Sequence, residues 1–144
     1  MADETNQLRV RLVTPERTLF EASAASVELP AKLGYMEVLY GHAPLLSELG
    51  AGDVRVHGVV GSDAAVEQTY NVNWGFVEVL PDRVTILASD ALKPEEIDVN
   101  RANQQLDRGL QMWQKAGDSE EKYTEALQVI AEAESKLASA TEKH

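Results

Sequence analysis

The 144-residue chain contains no cysteine. That removes disulfides and thiolate metal ligands, and it gives an oxidising compartment no support. Concentrated positive charge is missing as well: 13 Lys and Arg stand against 24 Asp and Glu, a formal net charge of −11 at pH 7. Recognition of a phosphate backbone or an anionic lipid surface needs clustered cations. Nucleic acid is therefore not an expected partner. No run approaches the roughly 18 apolar residues that cross a bilayer, so no direct membrane insertion is expected. Residues 1–6 are polar and acidic, and they lack the basic and apolar regions of a signal peptide. No P-loop, G-x-S-x-G or G-x-G-x-x-G occurs. The three histidines, His42, His57 and His144, have no partner at i+3 or i+4 with which to form a helical metal site.

The composition present is that of a folded protein, with 44% hydrophobic and 26% charged residues; wholesale disorder does not fit those values. Two regions differ in period. Up to about residue 92, apolar residues alternate with polar ones: Leu8, Val10 and Leu12 around Arg9 and Arg11, Val54 and Val56 around Arg55, and Val84, Ile86 and Ala88 with Thr85 between the first two. Alternation predicts strands with one face in a core. Turn residues punctuate these runs at Pro15, Pro30, Gly34, Gly41, Gly50–Asp53, Gly61–Asp63 and Pro81-Asp82, near the spacing of a small sandwich or barrel.

All five prolines lie at or before Pro94. Beyond it, Val99, Ala102, Leu106, Leu110 and Trp113 step by three and four, as do Tyr123, Leu127, Ile130 and Leu137. This spacing predicts two amphipathic helices. Gly117 suits a helix C-cap, and Asp118 with Glu121 three residues on suits the next N-cap. The short turn makes the helices an antiparallel pair. Trp113 is expected in the core, and Gly109 marks either close packing on the second helix or a bend. The fold class is thus α+β, with a β-sandwich docking domain at 1–92 and a helical hairpin arm at 93–144. Both parts are acidic. Residues 1–92 hold 6 basic and 13 acidic side chains, net −7, and residues 93–144 hold 7 and 11, net −4. Two alanine-rich helices cannot bury a deep core alone, so the arm is expected to be a marginally stable moving part.

Nothing assembles a nucleophile, a base and an oxyanion site, so a non-catalytic protein is expected. Glu95, Glu96 and Asp98 sit where the first helix begins and complement its dipole.

Five motifs occur in order: Val13-Thr14-Pro15-Glu16, Gly41-His42-Ala43-Pro44-Leu45-Leu46, Gly75-Phe76-Val77-Glu78-Val79, Val84-Thr85-Ile86-Leu87-Ala88, and Ile97-Asp98-x-x-Arg101-Ala102. Together they resemble the epsilon subunit of bacterial F-type ATP synthases, from Leu8 to about Ala140. The resemblance implies a sandwich of about ten strands followed by two antiparallel helices. It also implies a central-stalk subunit that binds gamma and the c-ring and couples rotation to ATP synthesis. The arm would either lie folded or extend along gamma, contact alpha and beta and inhibit hydrolysis. The location implied is the cytoplasmic face of a bacterial plasma (inner) membrane, held peripherally.

The resemblance places the c-ring and gamma interface at Tyr35, Glu37, Tyr40, His42 and Trp74. His42 matches the family pattern. Glu37 stands where a glycine is usual, Tyr35 where an acidic residue is usual, Tyr40 where a proline is frequent, and Trp74 for the first glycine of a pair completed by Gly75. Some relatives bind ATP on the arm. Ile97, Asp98, Arg101 and Ala102 match the first-helix part of that motif, but two second-helix arginines are replaced by Glu132 and Lys136. A carboxylate facing a triphosphate repels it. No cofactor is expected, with ATP binding weak or absent. Only Lys122, Lys136 and Lys143 remain basic on the second helix, so inhibition weaker than in basic relatives is expected. The competing readings are a free-standing regulatory adaptor that binds one partner through the hairpin, and a small enzyme built on the acidic cluster at 95–98.

Overall fold

The computed structural model describes residues 6–61 and 67–141. Met1, Ser62, Asp63, Lys143 and His144 lie outside them. The described residues divide between two compact units, the boundary falling between Ala91 and Leu92.

The first unit is built of strands β1 (Leu8–Val13), β2 (Thr18–Ala24), β3 (Ser26–Ala31), β4 (Gly34–Leu39), β5 (Leu45–Leu49), β6 (Gly52–His57), β7 (Gln68–Leu80) and all but the last residue of β8 (Arg83–Leu92). The alternation in sequence becomes an inside and an outside. Leu8, Val10 and Leu12 are buried while Arg9 and Arg11 face out. β1 runs antiparallel to β2, with Leu8 opposite Ala24, and parallel to β8, with Val10 opposite Val84 and Leu12 opposite Ile86. The core also takes Val27, Leu29, Val38, Val54, Val56, Val72, Val77 and Val79. Each such side chain contributes about 1.5–3 kcal/mol when removed from water.

The described residues contain eight strands rather than about ten, because β7 alone serves two ladders. Its residues 68–72 pair with β6 and its residues 75–79 with β5. Between them the chain turns at Trp74 (φ 49°) and Gly75 (φ 148°). A Cβ at Gly75 would overlap the Leu87 carbonyl oxygen, so only glycine fits there. The Ser89 hydroxyl shares its proton between the carbonyls of Asn73 and Trp74, at 2.8 and 3.0 Å, and so secures the corner. β3 is the second branching strand, pairing with β4, β5 and β6.

The second unit opens with a 3-10 turn, Pro94–Glu96, in which the Glu96 carboxylate accepts from the Lys93 amide at 2.8 Å. Helix α1 (Val99–Gln114) follows and then helix α2 (Glu120–Thr141). Gly117, with φ 59°, makes the turn that the sequence suggested. The N-cap of α2 is Ser119 rather than Asp118: its hydroxyl accepts from the Lys122 amide at 3.2 Å. Asp118 lies one residue too early, inside the turn closed by the bond from the Ser119 amide to the Ala116 carbonyl.

The seam between the helices is made of small residues, with Ala102, Gly109, Ala126, Ala133 and Ser139 buried. A Cβ at Gly109 would come within 2.8 Å of Ile130 Cγ1. Close packing is therefore the reason for this glycine. The same closeness leaves no room for an indole. Trp113, expected in the core, is 46% exposed. Its ring lies edge-on to Tyr123, with centroids 6.0 Å apart.

Candidate docking surface

The residues expected at the c-ring and gamma interface are distributed over two ends of the sandwich. At one end, the chain leaves β4 through Tyr40, Gly41 and His42 and enters β5. Gly41 takes φ 90° and donates its amide to the Pro81 carbonyl at 2.6 Å, which ties this connection to the β7–β8 turn. The His42 amide donates to the Leu39 carbonyl at 3.2 Å, and His42 Nδ1 lies 2.6 Å from the Ala43 carbonyl oxygen. His42 is thus held by its own loop and fixes the loop's shape.

Large apolar groups surround this connection on the outside. Leu39, Tyr40 and Leu45 are exposed, and Leu46 is 71% exposed. On the face beside Leu46, β7 adds exposed Phe76, and β8 adds exposed Leu87. Single exposed apolar residues are ordinary, but a grouped set on strands held by a rigid core marks a surface made to be covered.

Tyr35 and Trp74 sit at the other end, by the Gly50–Gly52 turn. The Trp74 amide donates to the Gly50 carbonyl at 3.3 Å. The Tyr35 hydroxyl accepts from the Asp53 amide at 2.9 Å and approaches the position that a Cβ on Gly52 would occupy. Tyr35 is exposed, yet its polar tip is engaged within the domain. Glu37 lies midway along β4, exposed and opposite Glu28 of β3.

In the hairpin, Ile97 is buried and the Asp98 carboxylate accepts from the Arg101 amide at 3.1 Å. Asp98 therefore serves as the N-cap of α1. Arg101 is exposed on the first turn. Glu132 accepts from Gln105 Nε2 at 3.0 Å, so a hydrogen-bonded carboxylate occupies the helix interface one turn further along. Among the described residues, no group of three or more His, Cys, Asp and Glu converges as a metal site. No helix of the described residues is long and apolar enough to cross a membrane.

Sequence reasoning missed a polar network on β3, β6 and the start of β7. Asn71 Nδ2 donates to Asp53 Oδ1 at 3.1 Å, Arg55 reaches Asp53 and Glu67, and His57 lies between Glu28 and Glu67. Glu28 and His57 are 29 residues apart in the chain. Their meeting depends on strand order, and no spacing in the sequence signals it.

A β-sandwich with an apolar, loop-bounded end and a separate small-residue hairpin defines a docking protein. The family model for the ATP synthase Delta/Epsilon chain, beta-sandwich domain, matches residues 7–105. The ATP synthase epsilon chain of Solibacter usitatus is 38% identical over 136 residues, covering 94% of this chain and 97% of its own length. That of Koribacter versatilis is 42% identical over 107 residues, covering 74% and 71%. A chain in the Euglena gracilis mitochondrial ATP synthase structure (OSCP/F1/c-ring, rotational state 1) has the same fold. Its TM-score is 0.78 at 20% identity, with 95% of this chain and 83% of that one covered. The protein belongs to the ATP synthase delta/epsilon chain family, as its five ordered motifs implied.

Proposed function

We propose that this protein is a non-catalytic rotor subunit of a proton-translocating F-type ATP synthase. The sandwich binds gamma and the c-ring and so couples rotation to ATP synthesis. The complex sits on a bacterial plasma membrane, with this subunit held peripherally on the cytoplasmic face. The observation that carries the reading is the relationship to an epsilon chain along nearly the full length of both proteins. The exposed apolar end around Tyr40 and His42 supports it by supplying a surface of the right kind. A solved Tetrahymena thermophila mitochondrial ATP synthase structure, of the central stalk and c-ring, contains a chain of the same fold (TM-score 0.68, 15% identity, 93% of this chain and 96% of that one covered).

The arm acts as a brake when it extends to contact alpha and beta, and its ATP sensor is incomplete. Asp98 is occupied as a helix cap, and the second helix offers a carboxylate, Glu132, where a phosphate would need a cation. ATP binding is accordingly weak or absent.

Affinity purification of the tagged chain from solubilised membranes tests the main reading. The expected result is recovery of a complete rotary ATPase containing gamma and c subunits. Recovery of the chain alone, or with one soluble partner, would establish the adaptor reading instead.

A further inference from the structure

Strand β4 has a single neighbour. It ends the strand order, and among the described residues β3 alone pairs with it. The direction of its free backbone groups follows from β3. The Pro30 carbonyl accepts from the Gly50 amide at 2.8 Å, so the backbone of Pro30 faces away from β4. Pro30 lies opposite Tyr35. Hydrogen-bonded and open pairs alternate along an antiparallel ladder. Tyr35, Glu37 and Leu39 therefore turn their amides and carbonyls to the open edge. The Leu39 carbonyl is taken by the His42 amide at 3.2 Å. The side chains of the same three residues share one face and are exposed, while Val38 points into the core and Met36 packs against it.

An open edge of this kind is a template for another strand, and a second copy of the chain carries the same edge. Two β4 strands placed antiparallel about a twofold axis keep all three outward residues in the ladder in one register alone. That register sets Tyr35 opposite Leu39 and Glu37 opposite Glu37. Tyr35 and Leu39 are 57% and 51% exposed, and their contact across the axis would favour pairing. Glu37 opposes it. It is the one charged residue of β4, and none of the described residues forms an ion pair with it. Residues of a hydrogen-bonded pair stand about 5.5 Å apart at Cα, so two carboxylates would meet on the axis. Glu28, opposite Glu37 in β3, would add one more on each side. Four carboxylates would then run in a row across the joined sheet. The His57 ring, 2.9 Å from Glu28 Oε1, moderates the outer two and leaves the central pair unrelieved.

We propose that Glu37 guards the open edge of β4 against pairing with a second copy of this chain. The edge accepts a strand that brings a cation to the position facing Glu37 and refuses an identical one. This is a property of the chain before any assembly and stands apart from the docking reading.

The test mixes the full chain with its Glu37→Lys variant. Each alone sets like charges on the axis and should stay monomeric by light scattering. Mixed, each supplies the other's counter-charge, and association should be at least about tenfold tighter than that of either chain with itself. The exchange moves the net charge only from −11 to −9, so both chains stay acidic and bulk attraction does not bring them together. Amide hydrogen exchange of the wild type should slow at Tyr35, Glu37 and Leu39 on mixing, because these amides enter the new ladder. A mixture that stays monomeric, or association that leaves those three amides unprotected, would overturn the proposal. If Glu37→Lys fails to fold, Glu37→Val decides, since it removes the charge altogether. Self-association with protection at positions 35, 37 and 39 supports the guard, and a monomer overturns it.

Discussion

At the scale of single residues, two glycines carry the clearest consequences. Gly75 combines φ 148° with a position where any Cβ meets the Leu87 carbonyl. Gly75→Ala should therefore destabilise the sandwich by at least about 2 kcal/mol in urea unfolding. A change under about 0.5 kcal/mol would show that the corner of β7 is free to move. Gly109 differs, because its backbone is helical. Alanine there gains about 1 kcal/mol of helix propensity and meets Ile130 and Val129 at 2.8 and 3.1 Å. Overpacking of that kind costs about 1–3 kcal/mol, so Gly109→Ala should lower hairpin stability by about 1 kcal/mol net. A gain in helix content and melting temperature would contradict the seam described above. Lys32 supplies a pH effect with a definite sign. A hydrogen bond and then the charge of Glu48, 2.8 Å away, raise its ammonium above the usual lysine value. The pair stabilises the fold below the ordinary lysine range, and that contribution is lost as pH rises through the raised value. Both groups stand in water, so the effect is small.

At the scale of elements, the sequence was legible where burial alone decides. Leu8, Val10, Leu12, Val84 and Ile86 alternate because one sheet face is dry, and that rule needs only local pattern. The turn at Gly117 was legible for a different local reason, since positive φ selects glycine. Trp113 was misplaced because helical spacing shows which stripe faces a partner and not how close the partner comes. The alanine and glycine seam sets that distance, and it excludes the indole. The strand corner at Trp74 was not visible either: a tryptophan at φ 49° goes against the local preference that sequence reading relies on. Two predictions belong to the hairpin. Calorimetric titration of the full chain with ATP should give no binding in the micromolar range, and micromolar affinity would show that Glu132 does not repel the phosphates. Hydrolysis by the assembled complex should rise little when residues 93–144 are removed, given the sparse basic residues of α2. A large activation would show a strong brake.

At the scale of the whole molecule, the docking surface was legible only in part. The motif around His42 falls on the connection between β4 and β5, which Gly41 and His42 shape. The position of Tyr35 and Trp74 at the opposite end, beside Gly50, could not be read, because strand pairing decides it. Nor could the contacts of His57, whose partners Glu28 and Glu67 come from two separate stretches of chain. The division predicts different roles. Tyr40 is exposed, so Tyr40→Ser should change stability by no more than about 0.5 kcal/mol yet weaken retention in the purified complex. Unchanged retention would remove Tyr40 from the interface.

The absence of cysteine makes the most direct test simple, because one introduced thiol is unique in the chain. His42→Cys, labelled with a short photo-crosslinker and incorporated into the assembled complex, reports what the Tyr40–His42 end touches. Products with the c subunit and with gamma are expected. Efficient incorporation with no product to either, or products confined to alpha and beta, would contradict the proposed docking.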